Sequence, residues 1–312
     1  MLKIRIAETK NFSEEVILQL KTFAEVDVVE TEKSDLTTCL ASYDVFWFRL
    51  KFKIEENDFP ENTQCKFILC PVTGLDHIDL AACAKRNIQV ISLKGETEFL
   101  SKVRATAELT LALTLALLRQ VPKAVESVNT FTWNRDLFKG HEIFEKKVGI
   151  VGVGRLGKIT AGFFKAFGAT VYGYDIKPFD EDICIKVNSL EELAAQVDIL
   201  SIHVAYHEDT HHLINEKIFS LMKPESILIN TSRGGVVDSD DLLVALKENK
   251  LRGAALDVIE NEYAIEKHPL IEYAKENPRL IITPHIGGNT WESFDKTEHF
   301  LADKLMAKLN TV

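Results

Sequence analysis

The sequence predicts an α/β protein made of two doubly wound parallel sheets. Three observations carry that prediction. Apolar, strand-like segments alternate with segments of helical period along the 312 residues, as repeated β–α units require. Most of the strand-like segments are nearly continuous apolar runs, expected where helices cover both faces of a sheet. One of them, in the stretch Lys147–Lys158 (KVGIVGVGRLGK), breaks directly into a glycine-rich turn.

Taken in order, the first series of strands is expected at Lys3–Ala7, Val26–Glu30, Val45–Leu50, Lys66–Cys70 and Gln89–Leu93, with helical period at Glu14–Phe23. The long helical stretch Ala105–Arg119 separates this series from the next and is expected to cross between domains. Its apolar part, Leu109–Leu118, suits a core or a subunit interface and is far shorter than the roughly 20 residues that span a bilayer. The second series is expected at Val148–Val151, Thr170–Asp175, Ile183–Val187, Ile199–Val204, Ile227–Asn230, Ala254–Val258 and Leu280–Thr283. Within it, Ser189–Gln196 opens with a capping-box pattern, Ser189 and Glu192. Phe294–Leu309 is amphipathic, with Phe300, Leu301 and Leu305 apolar, and could pack back on the first domain. The expected division is therefore residues 1–98 completed by 289–312, and residues 99–288. No Pro/Gly/Ser-rich linker, internal repeat or low-complexity tract marks the boundary.

The glycine turn reads Gly152-x-Gly154-x-x-Gly157. Gly152 allows a tight strand-to-helix turn, Gly154 lets backbone approach a pyrophosphate, and Gly157 lets the new helix pack close to the sheet. The helix presents unpaired N–H groups and a positive dipole end to the phosphates. Asp175, 18 residues after Gly157, is placed to accept hydrogen bonds from a ribose diol. A glycine turn alone can be purely structural; the preceding strand and the acid at this distance make it a dinucleotide site. A 2′-phosphate would be repelled by Asp175 and would call for arginine, whereas Ile176-Lys177-Pro178 follows. The cofactor expected is NAD.

Composition points the same way. Hydrophobic residues make up 46% and charged ones 27%, ordinary globular usage for a chain long enough to form two domains. A net charge of −10 argues against nucleic acid or an anionic membrane as partner. The five cysteines, Cys39, Cys65, Cys70, Cys83 and Cys184, form no CxxC pair and read as reduced core residues. The N-terminus MLKIRIAETK lacks the apolar stretch of a signal peptide. A cytoplasmic protein is expected.

Four further segments follow in order: Arg104-Ala-Thr-Ala-Glu108, Asn230-Thr-Ser-Arg233-Gly-Gly235, Ala255-Leu-Asp257-Val with Glu262 after it, and Thr283-Pro-His285-Ile-Gly-Gly288. With the glycine motif, the segment WNRDLFKGHEIFEKK and the run HHLINEKIFSLMKPESILINTSRGG, the chain from about Arg49 to Gly288 resembles the D-isomer-specific 2-hydroxyacid dehydrogenase family. Short, stand-alone 3-phosphoglycerate dehydrogenase-like members are the nearest in flavour. The resemblance implies a flavodoxin-like substrate domain, a Rossmann NAD-binding domain, and a homodimer formed through the latter. It also implies reversible hydride transfer between NAD(H) and a 2-hydroxy or 2-keto acid.

The residues suit that chemistry. Reduction of a 2-keto acid needs a cation for the carboxylate, a proton donor for the carbonyl oxygen and a hydride. By the resemblance Arg233 forks onto the carboxylate, His285 is the acid, or the base in oxidation, and Glu262 pairs with His285 and keeps it protonated while a keto acid is bound. Alone, Arg233 could be a surface arginine, His285 structural, and Glu262 a solvated acid in the run Glu260-Asn-Glu262. Asp257 resembles the family's acid that holds the nicotinamide carboxamide, and Arg155, Leu156, Val204 and Thr231 complete the implied cofactor contacts. Thr73 and Gly74, in Pro71-Val-Thr73-Gly74-Leu-Asp-His77-Ile-Asp79, resemble the family's substrate loop, whose N–H groups would cradle the carboxylate; an ordinary β–α turn is the plain alternative.

Arg49 matches a cationic position of phosphate-carrying members, with Lys51 and Lys53 adding charge. An uncompensated cation there implies a second anionic group on the substrate, such as phosphate, although lysines also guard solvated strand edges. His207, His211 and His212 include an i, i+4 pair, but in the polar stretch HEDTHH they read as a solvated loop, and no metal is expected. Two departures from the family, Ala205 where many members carry proline and the segment Ser92–Phe99 (SLKGETEF), bear on substrate identity. Two rivals stand beside the dehydrogenase. One is an NAD-sensing corepressor-like protein of the same fold. The other is a formate dehydrogenase, whose members pair the histidine with glutamine where this chain has Glu262.

Overall fold

A computed structural model describes residues 1–310, which divide into two compact units. Unit 1 comprises Met1–Val103 and the chain from Asn289 onward; unit 2 comprises Arg104–Gly288.

Unit 1 holds a five-stranded sheet: β1 (Leu2–Ile6), β2 (Ala24–Val28), β3 (Val45–Trp47), β4 (Phe67–Cys70) and β5 (Gln89–Ser92). They run in the order β2-β1-β3-β4-β5, parallel throughout, with Ile4 opposite both Val26 and Val45. This is the flavodoxin-like doubly wound order. Strands β3 and β4 are buried at every position, so neither face can be polar. One face packs Ile4, Ile6, Val16, Leu20 and Trp47 with Leu301, Ala302 and Leu305 of the helix Trp291–Leu309. The chain thus returns to its first core after completing the second. The unit runs to Val103 rather than residue 98, because Leu100 is buried in the same core and Phe99 stacks on Phe300 with centroids 3.9 Å apart. The other face packs Phe46, Phe48 and Phe52 with Leu36, Leu40 and four cysteines. Burial pushes the Cys65 thiol up to about 12 and Cys83 to about 11, so both are inert core groups.

Unit 2 holds seven strands: β6 (Lys147–Val151), β7 (Thr170–Tyr174), β8 (Ile185–Lys186), β9 (Ile199–Ile202), β10 (Ile227–Asn230), β11 (Gly253–Leu256) and β12 (Leu280–Ile282). The order is β12-β11-β10-β9-β6-β7-β8, again all parallel. The strand sequence reverses between β6 and β9, the switch point of a Rossmann sheet. The helix Ala105–Leu118 belongs to this unit from its first residue, with Leu113 and Leu117 buried beside Ile227 and Ile229, so it does not cross between units as the sequence had implied. Helix Leu190–Gln196 starts at Ser189, whose Oγ accepts the Glu192 N–H at 3.1 Å, while the Glu192 carboxylate reaches Asn188 N rather than the cap residue's own amide. No helix among the described residues is long and apolar enough to cross a membrane.

Candidate active site

The glycine turn lies at the carboxyl end of β6, at the switch point. Gly152 has φ +91°, and a Cβ there would come within 2.9 Å of the His203 and Val204 backbone. A Cβ on Gly157 would stand 2.1 Å from the Gly152 carbonyl oxygen, so the helix Arg155–Ala166 can begin only if nothing projects at 157. Gly154, its N-cap, differs: a Cβ there would meet nothing within 4 Å, leaving open space over the first N–H groups of the helix. An anion fits that space and the dipole end that faces it. Arg155 and Leu156, both half-buried, form the first turn. Asp175 follows β7 directly. Its Oδ2 accepts Val153 N at 2.7 Å and its Oδ1 accepts Lys177 N at 2.8 Å, so the carboxylate is pinned beside the glycine turn with one acceptor site left on each oxygen. Half-buried Val204 follows β9. Thr231, after β10, is nearly buried, and its hydroxyl shares a 2.7 Å hydrogen bond with Thr110 of the helix Ala105–Leu118. These residues fit a dinucleotide.

The turn carrying Arg233 is shaped by Asn230, whose Oδ1 accepts Ser232 N at 3.0 Å and whose Nδ2 donates to Arg233 O at 2.9 Å. Arg233 Nη1 donates to Ser232 O at 2.9 Å. A Cβ on Gly234 would fall 2.1 Å from Ile259 O, so this turn lies against the backbone that leads into Glu262.

His285 and Glu262, 23 positions apart, are brought together: Nδ1 lies 2.9 Å from Oε1 and 3.1 Å from Oε2. Both side chains are about one-fifth exposed, 21% and 24%. With Nδ1 held by a carboxylate, Nε2 is the nitrogen left to exchange a proton. His285 sits in the left-handed region, φ +53°. Asp257, 1% exposed, accepts Thr283 Oγ1 at 2.6 Å, Ile286 N at 2.9 Å and Gly287 N at 2.7 Å. Burial outweighs those donors and pushes its carboxyl above the ordinary aspartate value.

His212 departs from the solvated reading. It is half-buried, with Nδ1 2.9 Å from Asp238 and Nε2 2.7 Å from Glu260. Its ring loses hydration, but the two acids more than offset that and raise it above the ordinary histidine value, while Glu260 is lowered. His211, His212 and Glu260 have metal-ligand spacing, and each His212 nitrogen lies beside a carboxylate, Nδ1 by Asp238 and Nε2 by Glu260. Glu260 also accepts Ser239 N at 3.0 Å and is no solvated acid.

In unit 1, Thr73 is exposed and Gly74 half-buried after β4. Arg49 corrects the expectation of an uncompensated cation. It is 8% exposed, its guanidinium pairs with the fully buried Glu298 in a short contact, donates to Lys10 O at 3.1 Å and lies 4.0 Å over the Phe294 ring. Lys51 bridges Glu30 and Glu32, each at 2.7 Å. Both charges are spoken for inside the fold, for a reason invisible locally: their partners lie far away in sequence. Sequence reasoning missed Glu298, Thr283, Thr110 and the acids around His212. Only Thr283 carried a signal, as the last polar residue before Pro284 at a strand end.

Comparison with known proteins agrees with this geometry. Residues 111–287 match the family model described as D-isomer specific 2-hydroxyacid dehydrogenase, NAD binding domain. A D-3-phosphoglycerate dehydrogenase of Methanocaldococcus jannaschii is 31% identical over 97% of this chain and 57% of its own length. The chain spans about half the length of other D-3-phosphoglycerate dehydrogenases that it matches. A glyoxylate reductase of Thermofilum pendens is 32% identical over 99% of this chain and 92% of its own. Among solved structures, D-lactate dehydrogenase from Aquifex aeolicus, complexed with NAD and lactic acid, superposes with a TM-score of 0.81 at 28% identity, covering 99% of this chain and 97% of that one.

Proposed function

Because the chain belongs to the D-isomer-specific 2-hydroxyacid dehydrogenase family and carries its NAD-binding domain, we propose that it interconverts a small 2-keto acid and the D-2-hydroxy acid, with NAD as cofactor. The observation that carries this reading is the two-oxygen contact of Glu262 with His285 Nδ1, which leaves Nε2 as the proton-exchanging atom. When bound, NADH supplies the hydride. Gly152, Gly154, Arg155, Leu156, Gly157, Val204 and Thr231 hold the dinucleotide, Asp175 accepts from the ribose, and Asp257 offers its remaining acceptor site to the carboxamide. Arg233 orients the substrate carboxylate. His285 Nε2 gives its proton to the carbonyl oxygen as that oxygen gains charge, and Glu262, held against Nδ1, fixes the ring. Glu262 also separates this reading from a formate dehydrogenase.

The substrate follows from Arg49. Since Arg49 and Lys51 are neutralised by Glu298, Glu30 and Glu32, unit 1 supports no phosphate partner at these positions, and we assign an unphosphorylated substrate such as glyoxylate or pyruvate. The phosphorylated reading is kept as second, because several D-3-phosphoglycerate dehydrogenases are 31–37% identical to this chain. The relatives named above are enzymes and lend nothing to a corepressor role. For the homodimer, the helix Val121–Asn129 exposes Val121, Val125 and Val128, and Phe131 and Trp133 follow at 99% and 89% exposure, an apolar surface suited to a second copy. The deciding experiment offers glyoxylate, pyruvate and phosphohydroxypyruvate with NADH and follows its absorbance. Turnover of the first two supports the assignment, turnover of the third alone reverses it, and no turnover with any ends the dehydrogenase reading.

A further inference from the structure

Resting on that reading, the geometry of unit 2 points to Thr283 and Asp257 as a positioning pair that sets the His285 ring for proton transfer. Strands β11 and β12 pair in parallel with Leu256 opposite Ile282, so the next residues, Asp257 and Thr283, stand side by side where both strands end. Thr283 N still follows the ladder, donating to Leu256 O at 2.9 Å. Beyond it the chain turns back, and the carboxylate of Asp257 takes up the donors that the turn exposes. Thr283 Oγ1 and Ile286 N donate to Oδ1 and Gly287 N donates to Oδ2, while His285 N donates to the Asp257 carbonyl oxygen at 2.8 Å. One residue therefore gathers hydrogen bonds from four of the five positions 283–287, and the two it does not reach through its side chain are Pro284 and His285.

Three of roughly four acceptor sites of the carboxylate are filled by this turn. The turn also carries His285 in the left-handed region, φ +53°, a conformation uncommon for a non-glycine residue. A Cβ on Gly287 would stand 3.0 Å from Asp257 Oδ2 and 3.0 Å from Thr106 Cγ2, so the turn is also closed from behind and cannot relax in that direction. Glu262 reaches His285 from the ring side, through Nδ1 alone. Glu262 thus fixes the tautomer, and the Thr283–Asp257 pair fixes the backbone from which the ring swings. Thr283 need not touch substrate or cofactor to matter.

The test compares Thr283→Val, which keeps the shape and removes the hydroxyl, with Thr283→Ser, which restores it; Thr283→Ala serves if valine disturbs folding. Three readouts are taken: kcat for 2-keto acid reduction, NADH Kd by fluorescence, and the His285 Nδ1–H proton resonance, assigned by its loss in His285→Ala. The expected result is a fall in kcat of about 10-fold to 10²-fold in Thr283→Val, the scale of a misplaced catalytic group. NADH Kd should stay unchanged, the resonance should weaken, and Thr283→Ser should recover both kcat and the resonance. Unchanged kcat with an unchanged resonance overturns the proposal, as does a kcat loss matched by lost NADH binding. Should the wild-type chain reduce no 2-keto acid, the dehydrogenase reading fails while the resonance still decides: its loss in Thr283→Val and return in Thr283→Ser support the positioning pair, and its persistence sinks it.

Discussion

Replacing Arg49 by methionine separates a substrate-binding arginine from a structural one. Methionine keeps an unbranched apolar side chain of similar length and removes the guanidinium that lies over Phe294 and Phe12. What remains is the Glu298 carboxylate, fully buried, with a single backbone donor, Ser13 N at 2.8 Å. Breaking a buried pair by removing one partner costs about 3–5 kcal/mol; because Ser13 stays in place, the lower end, about 3 kcal/mol, is expected. Burial already holds the Glu298 carboxyl above its ordinary value of 4.5 despite Arg49. For a carboxyl raised by folding, the ionised form is the destabilised one, so the penalty is absent below its unfolded value and grows as pH rises through the folded value. The Arg49→Met deficit should therefore shrink as pH falls toward 4.5, and Arg49→Met with Glu298→Leu should recover much of it at neutral pH. Trp47, fully buried and edge-on to Phe12 at 5.2 Å, reports unfolding of this core by fluorescence in urea. The structural account is wrong if the variant keeps wild-type stability while KM for a phosphorylated keto acid rises far more than KM for pyruvate.

Further outcomes are expected elsewhere. His285→Ala should lower turnover on the order of 10²–10⁴ with NADH binding retained, seen by pairing steady-state rates with fluorescence titration. Asp175→Ala should narrow the preference for NADH over NADPH; equal use of both by the unaltered chain would contradict the ribose assignment. His212 is raised and Glu260 lowered in the folded chain, so their mutual stabilisation is complete between the ordinary values of 4.5 and 6.5. It is lost as pH rises through the raised histidine or falls through the lowered glutamate. Urea titrations of His212→Gln should fall short of wild type within that window and approach it only once pH has risen past the raised histidine value.

The strands were legible because parallel β-structure buried on both faces leaves no freedom of pattern: Phe67–Cys70 and Ile227–Asn230 are almost wholly apolar. The glycine turn was legible because each glycine answers a local collision, Gly157 with Gly152 O and Gly152 with His203 and Val204. Long-range electrostatics were not. Arg49 resembles a ligand-binding cation until Glu298 is placed beside it, and His212 resembles a solvated residue until Asp238 and Glu260 arrive from two other segments. Charges find partners through topology, which a local pattern does not encode. Thr283 showed in the sequence only as a polar residue at a strand end; its partnership with Asp257 becomes visible only with the register of β11 on β12.

The interrupted first unit has a consequence for biogenesis. Arg104–Gly288 is one continuous stretch and can reach its fold while the ribosome still holds the rest. The N-terminal sheet cannot, because Leu301, Ala302 and Leu305 complete its core and Glu298 neutralises Arg49 across 249 positions of sequence. During synthesis the strands before Val103 must therefore wait, with Ile4, Val16 and Leu20 lacking their cover until the helix Trp291–Leu309 emerges. Loss of that helix would leave the nascent sheet exposed as an aggregation-prone surface and a natural mark for chaperones.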